Sequence, residues 1–424
     1  MIPELKPYQK EAAQFISESW QVLLADEMGL GKTATALSGI ADMVKSERRL
    51  VVCPASLKLN WCHEIKTWLG IDVKPDDMYS YPIAVTNYDR LKQYMPDIEH
   101  NNFNGVIFDE SHYMKTPKSQ RTEASIYIGG LWEYKMLISG TPMVSGPADL
   151  ATQLDCLCLL GLFGGYTKFY RRYCDPVKTR YGWDYSGSSH KKELHDKLSP
   201  YMIRRTKKQV GIRLPRKHII DVPITECKQE FASTFKDIEK QQKEINAVKF
   251  PYVVDFIDNL LEQGKNIVVF AHHRNVQKAL LSHYKSIAVS IHGGQDMADR
   301  DGAVQAFQNG EKQIIICSLQ AASVGVTLTA SDTAVFVEYL WSPSVHEQAM
   351  DRIHRITQKK PVTVYNLYCP GSIEDQKDIC SYVKSLDIDG ILSTKNGRDP
   401  PVYHHGLLVE ISHYFKCACV HRFI

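Results

Sequence analysis

Short apolar runs alternate with helical patterns along most of the chain. In the first half, the runs predict strands at Val22–Ala25, Leu50–Cys53, Ile83–Thr86, Val106–Phe108 and Met136–Ile138. Segments with helical spacing of apolar residues separate these runs, for example Ser56–Leu69. Alternation of this kind is typical of βαβ units around a parallel sheet. The first half is therefore predicted to form an α/β lobe whose ligands lie at the carboxyl ends of the strands.

The second half repeats the architecture without repeating the sequence. Its predicted strands are Ile267–Phe270, Ala288–Ile291, Gln313–Cys317, Ala334–Val337 and Val362–Leu367. Between the halves, the stretch from about Gly161 to Ile220 breaks the pattern and is rich in Gly, Tyr, Arg and Lys. Thr225–Val248 has the pattern of a long polar helix. We predict a first lobe at 1–160, an insertion and connecting helix at 161–245, a second lobe at 246–395 and a tail without clear pattern at 396–424.

Composition and charge argue against a secreted or membrane protein but do not decide whether the chain binds nucleic acid. A chain of 424 residues allows two or three domains, and a formal charge of +3 neither demands nor excludes a nucleic-acid partner. The eleven cysteines are an odd, scattered set, which predicts reduced thiols in a soluble intracellular protein. No signal core is present at the start, and no apolar run approaches the length of a membrane span. A membrane partner is not expected.

The strongest chemical signal follows the first strand. A glycine loop runs into Gly-Lys-Thr and a helix through the residues Asp26, Glu27, Met28, Gly29, Leu30, Gly31, Lys32 and Thr33. The glycines permit close backbone approach, and the N–H groups of the loop and helix then face an anion. Lys32 is expected on the β- and γ-phosphates of ATP and Thr33 on Mg²⁺. Since Asp26 replaces the first glycine of G-x-x-x-x-G-K-[ST], chance remains an alternative for this motif alone.

Two further motifs end predicted strands of the same lobe. Asp109 and Glu110 follow an apolar strand, which predicts a carboxylate for Mg²⁺ at Asp109 and a general base for the attacking water at Glu110. A solvated acidic turn is the alternative. Ser139-Gly140-Thr141 follows the next strand, where small hydroxyl side chains can sense the γ-phosphate; a simple turn is the alternative there.

Three polar residues complete the expected nucleotide site. Arg352 and Arg355, three apart in His346–Gln358, are predicted to share one helix face and to act as arginine fingers across a cleft. The alternative is a basic helix face in solvent. Gln9 precedes the first strand, where its amide can read adenine, although a lone glutamine is negligible evidence.

Candidate DNA contacts come from loops that follow strands in both halves. Their N–H and hydroxyl groups suit phosphates, which position DNA without reading its sequence. The expected contacts are Pro54, Ser56, Thr86, Asn87, Arg274, His292, Gly293 and Ser318, with a positive cluster at Arg204, Arg205, Lys207 and Lys208. Aromatic residues of the insertion can stack on bases or wedge a duplex junction. Each of these residues taken singly fits core or solvated surface better.

The ordered motifs resemble those of the SWI/SNF-like ATPases of helicase superfamily two. The matching stretches are L-K-P-Y-Q at Leu5–Gln9, D-E-M-G-L-G-K-T at Asp26–Thr33, D-E-S-H at Asp109–His112, S-G-T-P at Ser139–Pro142, I-H-G-G at Ile291–Gly294 and Q-A-M-D-R-I-H-R-I-T-Q at Gln348–Gln358. Within the insertion, Y-C-D at Tyr173–Asp175 and G-W-D-Y-S-G-S-S at Gly182–Ser189 look like the HARP-type annealing-helicase branch. Thr357 and Met350 depart from the usual pattern, but neither replaces a catalytic side chain.

This resemblance implies two RecA-like parallel-sheet lobes in tandem, with a helical or irregular insertion between them. It implies ATP and Mg²⁺ as cofactors, with Gly325 and Gln348 added to the nucleotide contacts. The expected activity is a DNA-dependent ATPase that moves on DNA, remodelling duplexes or annealing strands at forks and single-to-double-strand junctions. A strand-separating helicase and an ATP-gated DNA clamp are the alternatives. We expect a monomer with no protein partner to infer, in a bacterial cytoplasm or phage-infected host, or in a nucleus if eukaryotic.

Overall fold

The computed structural model describes residues 3–179, 182–225, 235–319, 326–338, 340, 342–374, 377, 384–385, 388 and 391–392. The chain divides into two compact units. Unit 1 comprises Met1–Ile212 with Asp387–Gly397, and unit 2 comprises Arg213–Leu386 with Arg398–Ile424. Each unit has its own six-stranded sheet and its own hydrophobic core.

Unit 1 begins with a helix and then alternates strands with helices. Its elements are α1 (Pro7–Glu18), β1 (Gln21–Leu24), α2 (Lys32–Gly39), β2 (Arg48–Cys53), α3 (Lys58–Leu69), β3 (Ile83–Asn87), α4 (Leu91–His100), β4 (Phe103–Asp109), α5 (Gln120–Leu131), β5 (Tyr134–Ile138), α6 (Ala148–Cys156), α7 (Gly165–Tyr173), β6 (Val177–Thr179), β7 (Gly182–Asp184), α8 (Lys191–Leu198) and β8 (Met202–Ile203).

The unit 1 sheet has the strand order β3-β2-β4-β5-β1-β8, and every neighbouring pair is parallel. Strands buried on both faces read as continuous apolar runs, as Val51, Val106 and Leu137 illustrate with no exposure at all. Because β4, β5 and β1 are adjacent and parallel, the loops that follow them meet at one edge. This edge carries the three predicted motifs of the first lobe.

Unit 2 is built in the same way. Its elements are β9 (Lys217–Pro223), α9 (Phe235–Glu262), β10 (Ile267–Ala271), α10 (Arg274–His283), β11 (Ala288–Ile291), α11 (Met297–Gln308), β12 (Ile314–Ser318), β13 (Thr333–Phe336), α12 (Pro343–Met350) and β14 (Val362–Tyr368). The sheet order is β11-β12-β10-β13-β14-β9, again with parallel pairs throughout. The predicted α/β class with two parallel-sheet lobes is confirmed.

All ten predicted strands are present, but the region between the lobes contains more strand than expected. β8 adds to the edge of the unit 1 sheet beside β1, and β9 adds to the edge of the unit 2 sheet beside β14. β6 and β7 form a separate antiparallel hairpin. The helix predicted at Thr225–Val248 is wrong at its end, because α9 (Phe235–Glu262) continues through Pro251. Residues 226–234, near its predicted start, lie outside the described ranges.

The remaining expectations concern the tail, the cysteines and membrane-spanning helices. The tail at 396–424 lies outside the described residues. Six cysteines in the described part are free thiols, but the prediction of reduced thiols is wrong at Cys369, which is disulfide-bonded. Across the described ranges, no helix has both the length and the apolar character that crossing a membrane requires.

Candidate active site

The phosphate loop connects β1 to α2 at the carboxyl edge of the unit 1 sheet. Gly29 and Gly31 have φ angles of 82° and 75°, in the left-handed region that favours glycine. A Cβ on Gly31 would also overlap Nε2 of Gln9. This amide donates to the carbonyl of Leu30 at 3.2 Å. Gln9, which the sequence suggested as an adenine contact, therefore also braces the loop from α1.

Lys32 is turned toward the backbone of its own loop. Its Nζ donates to the carbonyl oxygens of Asp26 at 2.9 Å and Glu27 at 3.4 Å. Burial lowers the pKa of Lys32, against the opposing influence of Glu110 and Asp109. The ammonium group is thus partly desolvated and close enough to both acids to feel their charge. Such a group gains from a phosphate that replaces weaker carbonyl partners.

Three hydrogen bonds hold Asp109, the first acid of the pair at the end of β4. The indole Nε1 of Trp61 donates to Oδ2 of Asp109 at 2.8 Å, and the N–H of Glu110 donates to Oδ1 at 2.9 Å. The hydroxyl of Tyr88 donates to the Asp109 carbonyl at 2.8 Å. Burial and the nearby Glu110 charge raise the pKa of Asp109 to about 7. A buried carboxylate of this kind is stabilised when a cation binds beside it.

Glu110 adopts a backbone conformation that is unusual for its residue type. Its φ and ψ of 50° and 52° lie in the left-handed region, which is strained for a side chain with a Cβ. Its Oε2 lies 3.3 Å from Nδ1 of His112. Since strain of this kind clusters at functional sites, the geometry supports a chemical role over the alternative of a solvated acidic turn. Glu110 is half-buried, which also argues against a fully solvated turn.

His112 connects this pair to the motif after β5. Its Nδ1 also lies 3.1 Å from Oγ of Ser139, and this hydroxyl accepts from the N–H of Thr141 at 3.1 Å. A Cβ on Gly140 would lie 2.5 Å from Cγ of Met28 and 3.1 Å from Nζ of Lys32. The turn after β5 therefore packs directly on the phosphate loop. All three motifs of the first lobe meet at this edge.

The two arginines that follow β8 contact the phosphate loop and its neighbours. Sequence reasoning placed Arg204 and Arg205 in a positive cluster for DNA. In the structure, Nη1 of Arg204 donates to the carbonyls of Ala25 and Gly140, at 2.6 and 2.8 Å. Arg205 forms an ion pair with Asp26, whose side chain is 1% exposed. Both guanidinium groups are therefore used inside unit 1, against the phosphate loop and its neighbours.

The residues after β8 form what we call the fastening segment, Met202–Lys207. The N–H and Nε of Arg205 donate to Oδ1 of Asp26 at 2.9 and 3.0 Å, and its Nη1 donates to the carbonyl of Tyr8. The N–H of Lys207 donates to Oε2 of Glu27 at 2.7 Å. Sequence reasoning missed this role because the partners lie 179 and 180 residues apart. The only local signal was the pair of acids at Asp26 and Glu27.

In unit 2, the predicted helix across Arg352 and Arg355 is wrong. α12 ends at Met350, because the chain then turns and the carbonyl of Arg352 accepts from the N–H of Leu328 at 2.8 Å. Nε of Arg355 donates to the Asp351 carbonyl at 2.8 Å, and its Nη1 donates to Oγ1 of Thr327 at 2.6 Å. Arg352 is only 3% exposed, so a solvated basic helix face does not describe this region.

The remaining nucleotide candidates lie in different surroundings. Gln348 is buried in α12, and its carbonyl accepts from Nε of Arg352 at 3.1 Å. Thr33 is half-buried in the first turn of α2, beside Lys32. Gly325 lies outside the described residues.

Four of the expected DNA contacts in unit 1 differ widely in exposure. Thr86 is fully buried, and its hydroxyl donates to Asp76 at 2.9 Å. Asn87 and Pro54 are also buried, whereas Ser56 is half-exposed. Of these four residues, only Ser56 has a side chain that can reach DNA at the surface; the others could contact it only through their backbone groups.

The expected contacts in unit 2 are more accessible. Arg274 and Gly293 are exposed, and His292 and Ser318 are half-exposed. Glu338 stabilises the backbone just before Arg274. Its carboxylate is 1% exposed and accepts hydrogen bonds from the N–H groups of His272 and His273 at 2.6 and 2.8 Å. Sequence reasoning missed Glu338, because an acid after an apolar strand gives no local indication of its partners.

A glycine loop, a desolvated lysine and a buried acidic pair, on the first of two parallel sheets, define the class of tandem α/β proteins with a phosphate-binding loop. The chain belongs to the SNF2-related family, since the SNF2-related domain matches residues 8–262. The helicase conserved C-terminal domain matches residues 249–357. The predicted family is thereby confirmed.

Similar proteins agree with the resemblance to the annealing-helicase branch. The chain is 34% identical over 411 residues to the SWI/SNF-related matrix-associated actin-dependent regulator of chromatin subfamily A-like protein 1 of Xenopus laevis, covering 88% of this chain and 43% of that protein. It is 31% identical over 421 residues to the DNA annealing helicase and endonuclease ZRANB3 of Homo sapiens, covering 88% and 39%. The chain thus spans less than half the length of these two relatives.

A solved structure is also similar. The Sulfolobus solfataricus SWI2/SNF2 ATPase core in complex with double-stranded DNA has a TM-score of 0.45 and 22% sequence identity, covering 93% of this chain and 98% of that one.

Proposed function

We propose that this chain is a DNA-stimulated ATPase that uses ATP with Mg²⁺ to move along DNA. The observation that carries the proposal is the meeting of Lys32, Asp109 and Glu110 at one edge of the unit 1 sheet. The charges of both acids act on the pKa of Lys32, and the charges of Lys32 and Glu110 act on the pKa of Asp109. These are the groups that nucleotide hydrolysis requires: a cation for the phosphates, a carboxylate for the metal and a base for water.

The residues of unit 1 fit a nucleotide with its metal. Within the described part, no cluster of three or more His, Cys, Asp or Glu can hold a metal alone, but Mg²⁺ shared with phosphates needs only one or two protein ligands. The Asp109 carboxylate and the Thr33 hydroxyl would supply hard oxygen ligands of this kind. Bound Mg²⁺ would neutralise charge that develops on the phosphates.

Each side chain of the site then has a separate role in binding the phosphates or activating water. Lys32 exchanges its carbonyl partners for phosphate oxygens, with the loop held by Gln9 and the fastening segment. Glu110 accepts a proton from the attacking water, and His112, 3.3 Å away, orients its carboxylate. The contact between His112 and Ser139 links this acid to the turn after β5, so a change at the phosphates can reach a second loop. That Arg352 and Arg355 also act on the phosphates stays a prediction from the sequence.

The substrate class and cellular setting belong to the same proposal. We expect translocation on duplex DNA or strand annealing at forks rather than strand separation, inside a cell. The relatives named as an annealing helicase and as a regulator of chromatin support this class. A fluorescent partial duplex tests the strand-separating alternative: release of the labelled strand without a competitor would favour it. Displacement of a triplex strand tests the clamp, which leaves the triplex intact.

The direct test is the ATPase rate of the full chain with no DNA, with blunt duplex, with single strands and with a fork. We expect stimulation, and no stimulation by any of these DNAs would contradict the proposal. Glu110→Gln should keep ATP binding and lose turnover. Glu133→Gln, an exposed acid ahead of β5, is the matched control and should turn over normally. Normal turnover by Glu110→Gln would remove Glu110 as the base.

A further inference from the structure

The hairpin formed by β6 and β7 stands apart from both six-stranded sheets. Its register places Lys178 directly opposite Trp183, so the two side chains share one face. The Trp183 side chain is 57% exposed. An exposed indole beside a lysine offers an apolar ring face and a positive charge together, a combination that suits a base next to a phosphate.

The base of the hairpin is fixed to α7. The rings of Tyr170 and Tyr185 lie 4.9 Å apart, and the N–H of Ser189 donates to the carbonyl of Tyr173 at 2.9 Å. A Cβ on Gly187 would lie 3.0 Å from the carbonyl of Cys174, so the chain passes close to the end of this helix. The indole therefore projects from an ordered base, which reduces the entropy lost when a ligand stacks on it.

Positive charge is concentrated in this part of the sequence. Residues 165–197 contain eight Lys or Arg and four Asp or Glu, a net charge of +4. Because the whole chain carries +3, all other residues together carry −1. The sequence therefore gathers its excess positive charge around the hairpin. An anionic polymer is the partner that such a distribution attracts.

A basic cavity lies beside the hairpin's base. It has a volume of about 400 Å³, and its lining includes Lys168, Arg171, Arg172 and Lys197 from α7 and α8. Glu193 neutralises part of this charge, since it accepts from Nη2 of Arg172 at 2.6 Å and lies 3.3 Å from Nζ of Lys197. Lys168 and Arg171 form no ion pair within the described residues, and both are exposed.

We propose that Trp183, Lys178, Lys168 and Arg171 form a junction surface, which binds DNA where a single strand meets a duplex. Trp183 stacks on the first unpaired base, and Lys168 and Arg171 hold backbone phosphates. The inference rests on the proposed function and names the DNA structure that unit 1 recognises. A surface for a protein partner would carry a broader apolar patch. One exposed indole beside exposed cations suits a nucleic acid.

The test compares binding of the full chain to a blunt duplex and to a fork of the same sequence, at fixed salt. Trp183→Ala should weaken fork binding about fivefold to a hundredfold, the range for losing one stacked base, and leave duplex binding unchanged. Trp183→Phe should keep most of the affinity. Trp20→Ala is the matched control, because Trp20 is 61% exposed but precedes β1 and is not part of the hairpin. Arg171→Ala should weaken both DNAs and flatten the salt dependence.

The outcomes separate this inference from the proposed function. If no DNA stimulates the ATPase of the unmodified chain, both fail. If DNA stimulates it but Trp183→Ala binds the fork as tightly as the unmodified chain, only the junction surface is overturned, and the exposed indole is left for a protein partner. Equal weakening on duplex and fork also overturns junction recognition. Unchanged thermal unfolding of Trp183→Ala excludes a folding defect as the cause.

Discussion

The ion pair between Arg205 and Asp26 is the contact whose loss should affect the phosphate loop most. Arg205→Met keeps an unbranched side chain of similar length and leaves Asp26 a buried carboxylate without its cation. Losing one partner of a buried pair costs about 3–5 kcal/mol. Because Arg205 is 18% exposed and its own N–H still donates to Oδ1 at 2.9 Å, we expect the lower end, about 3 kcal/mol.

Calorimetry of the full chain measures this cost as a shift of the unit 1 unfolding transition. For a unit of about 200 residues, 1 kcal/mol corresponds to about 2–4 °C, so Arg205→Met should lower the transition by about 6–12 °C. Lys45→Met is the matched control: it breaks a pair whose side chains are 75% and 93% exposed, and no measurable shift is expected. Pairing Arg205→Met with Asp26→Asn removes the unpaired charge and should recover part of the loss.

Nucleotide affinity provides the second readout. If the fastening segment holds the loop in its binding shape, Arg205→Met should also weaken ATP binding about tenfold, or about 1.4 kcal/mol. A transition shift no larger than that of Lys45→Met would refute the reasoning, because the pair would then not be desolvated. A large shift with unchanged ATP affinity would show that the pair stabilises unit 1 without positioning the loop.

Two further predictions concern buried carboxylates. Burial and Glu110 raise the pKa of Asp109 to about 7, and its carboxylate is the form that takes Mg²⁺. The kcat/KM for ATP should therefore rise with pH through about 7, because this ratio reports ionisation of the free enzyme. Trp61→Phe removes a hydrogen bond that lowers this pKa and should move the rise to higher pH, whereas Trp68→Phe in the same helix should not. Burial raises the pKa of Glu338, but its contacts with His273 outweigh this effect and lower the pKa to about 2. Unit 2 should therefore lose stability as the pH falls from about 4.5 toward 2. Unfolding followed by circular dichroism should show a weaker pH dependence for a Glu338→Gln variant.

The central strands could be predicted from the sequence because strands buried on both faces read as continuous apolar runs. The edge strands could not. β8 has only two residues, and β9 is mostly exposed, so neither produces an apolar run. The helix predicted at Thr225–Val248 rested on a polar pattern, but α9 continues past Pro251, a residue that ordinarily interrupts a helix. Its apolar residues continue beyond the proline, with Val253 and Ile257 fully buried, and packing carries the helix to Glu262.

In the site, too, the features set by local sequence were predictable and those set by distant residues were not. Lys32 and the acidic pair were predictable because loop chemistry and position after a strand are local properties. The pairing of Asp26 with Arg205 joins residues 179 apart, which no local pattern contains. The helix expected through Arg355 failed for a similar reason, since a bond from Leu328 to Arg352 competes with its continuation.

The left-handed backbone at Glu110 sets stability against activity at one position. A side chain with a Cβ costs about 1–2 kcal/mol in this conformation, and glycine would relieve this cost. Selection of variants for heat resistance alone would therefore favour replacing the proposed base, and the survivors would be stable proteins that bind ATP without hydrolysing it. Any search for more robust forms of this chain must score turnover at each round, because at this residue greater stability is a sign of lost function.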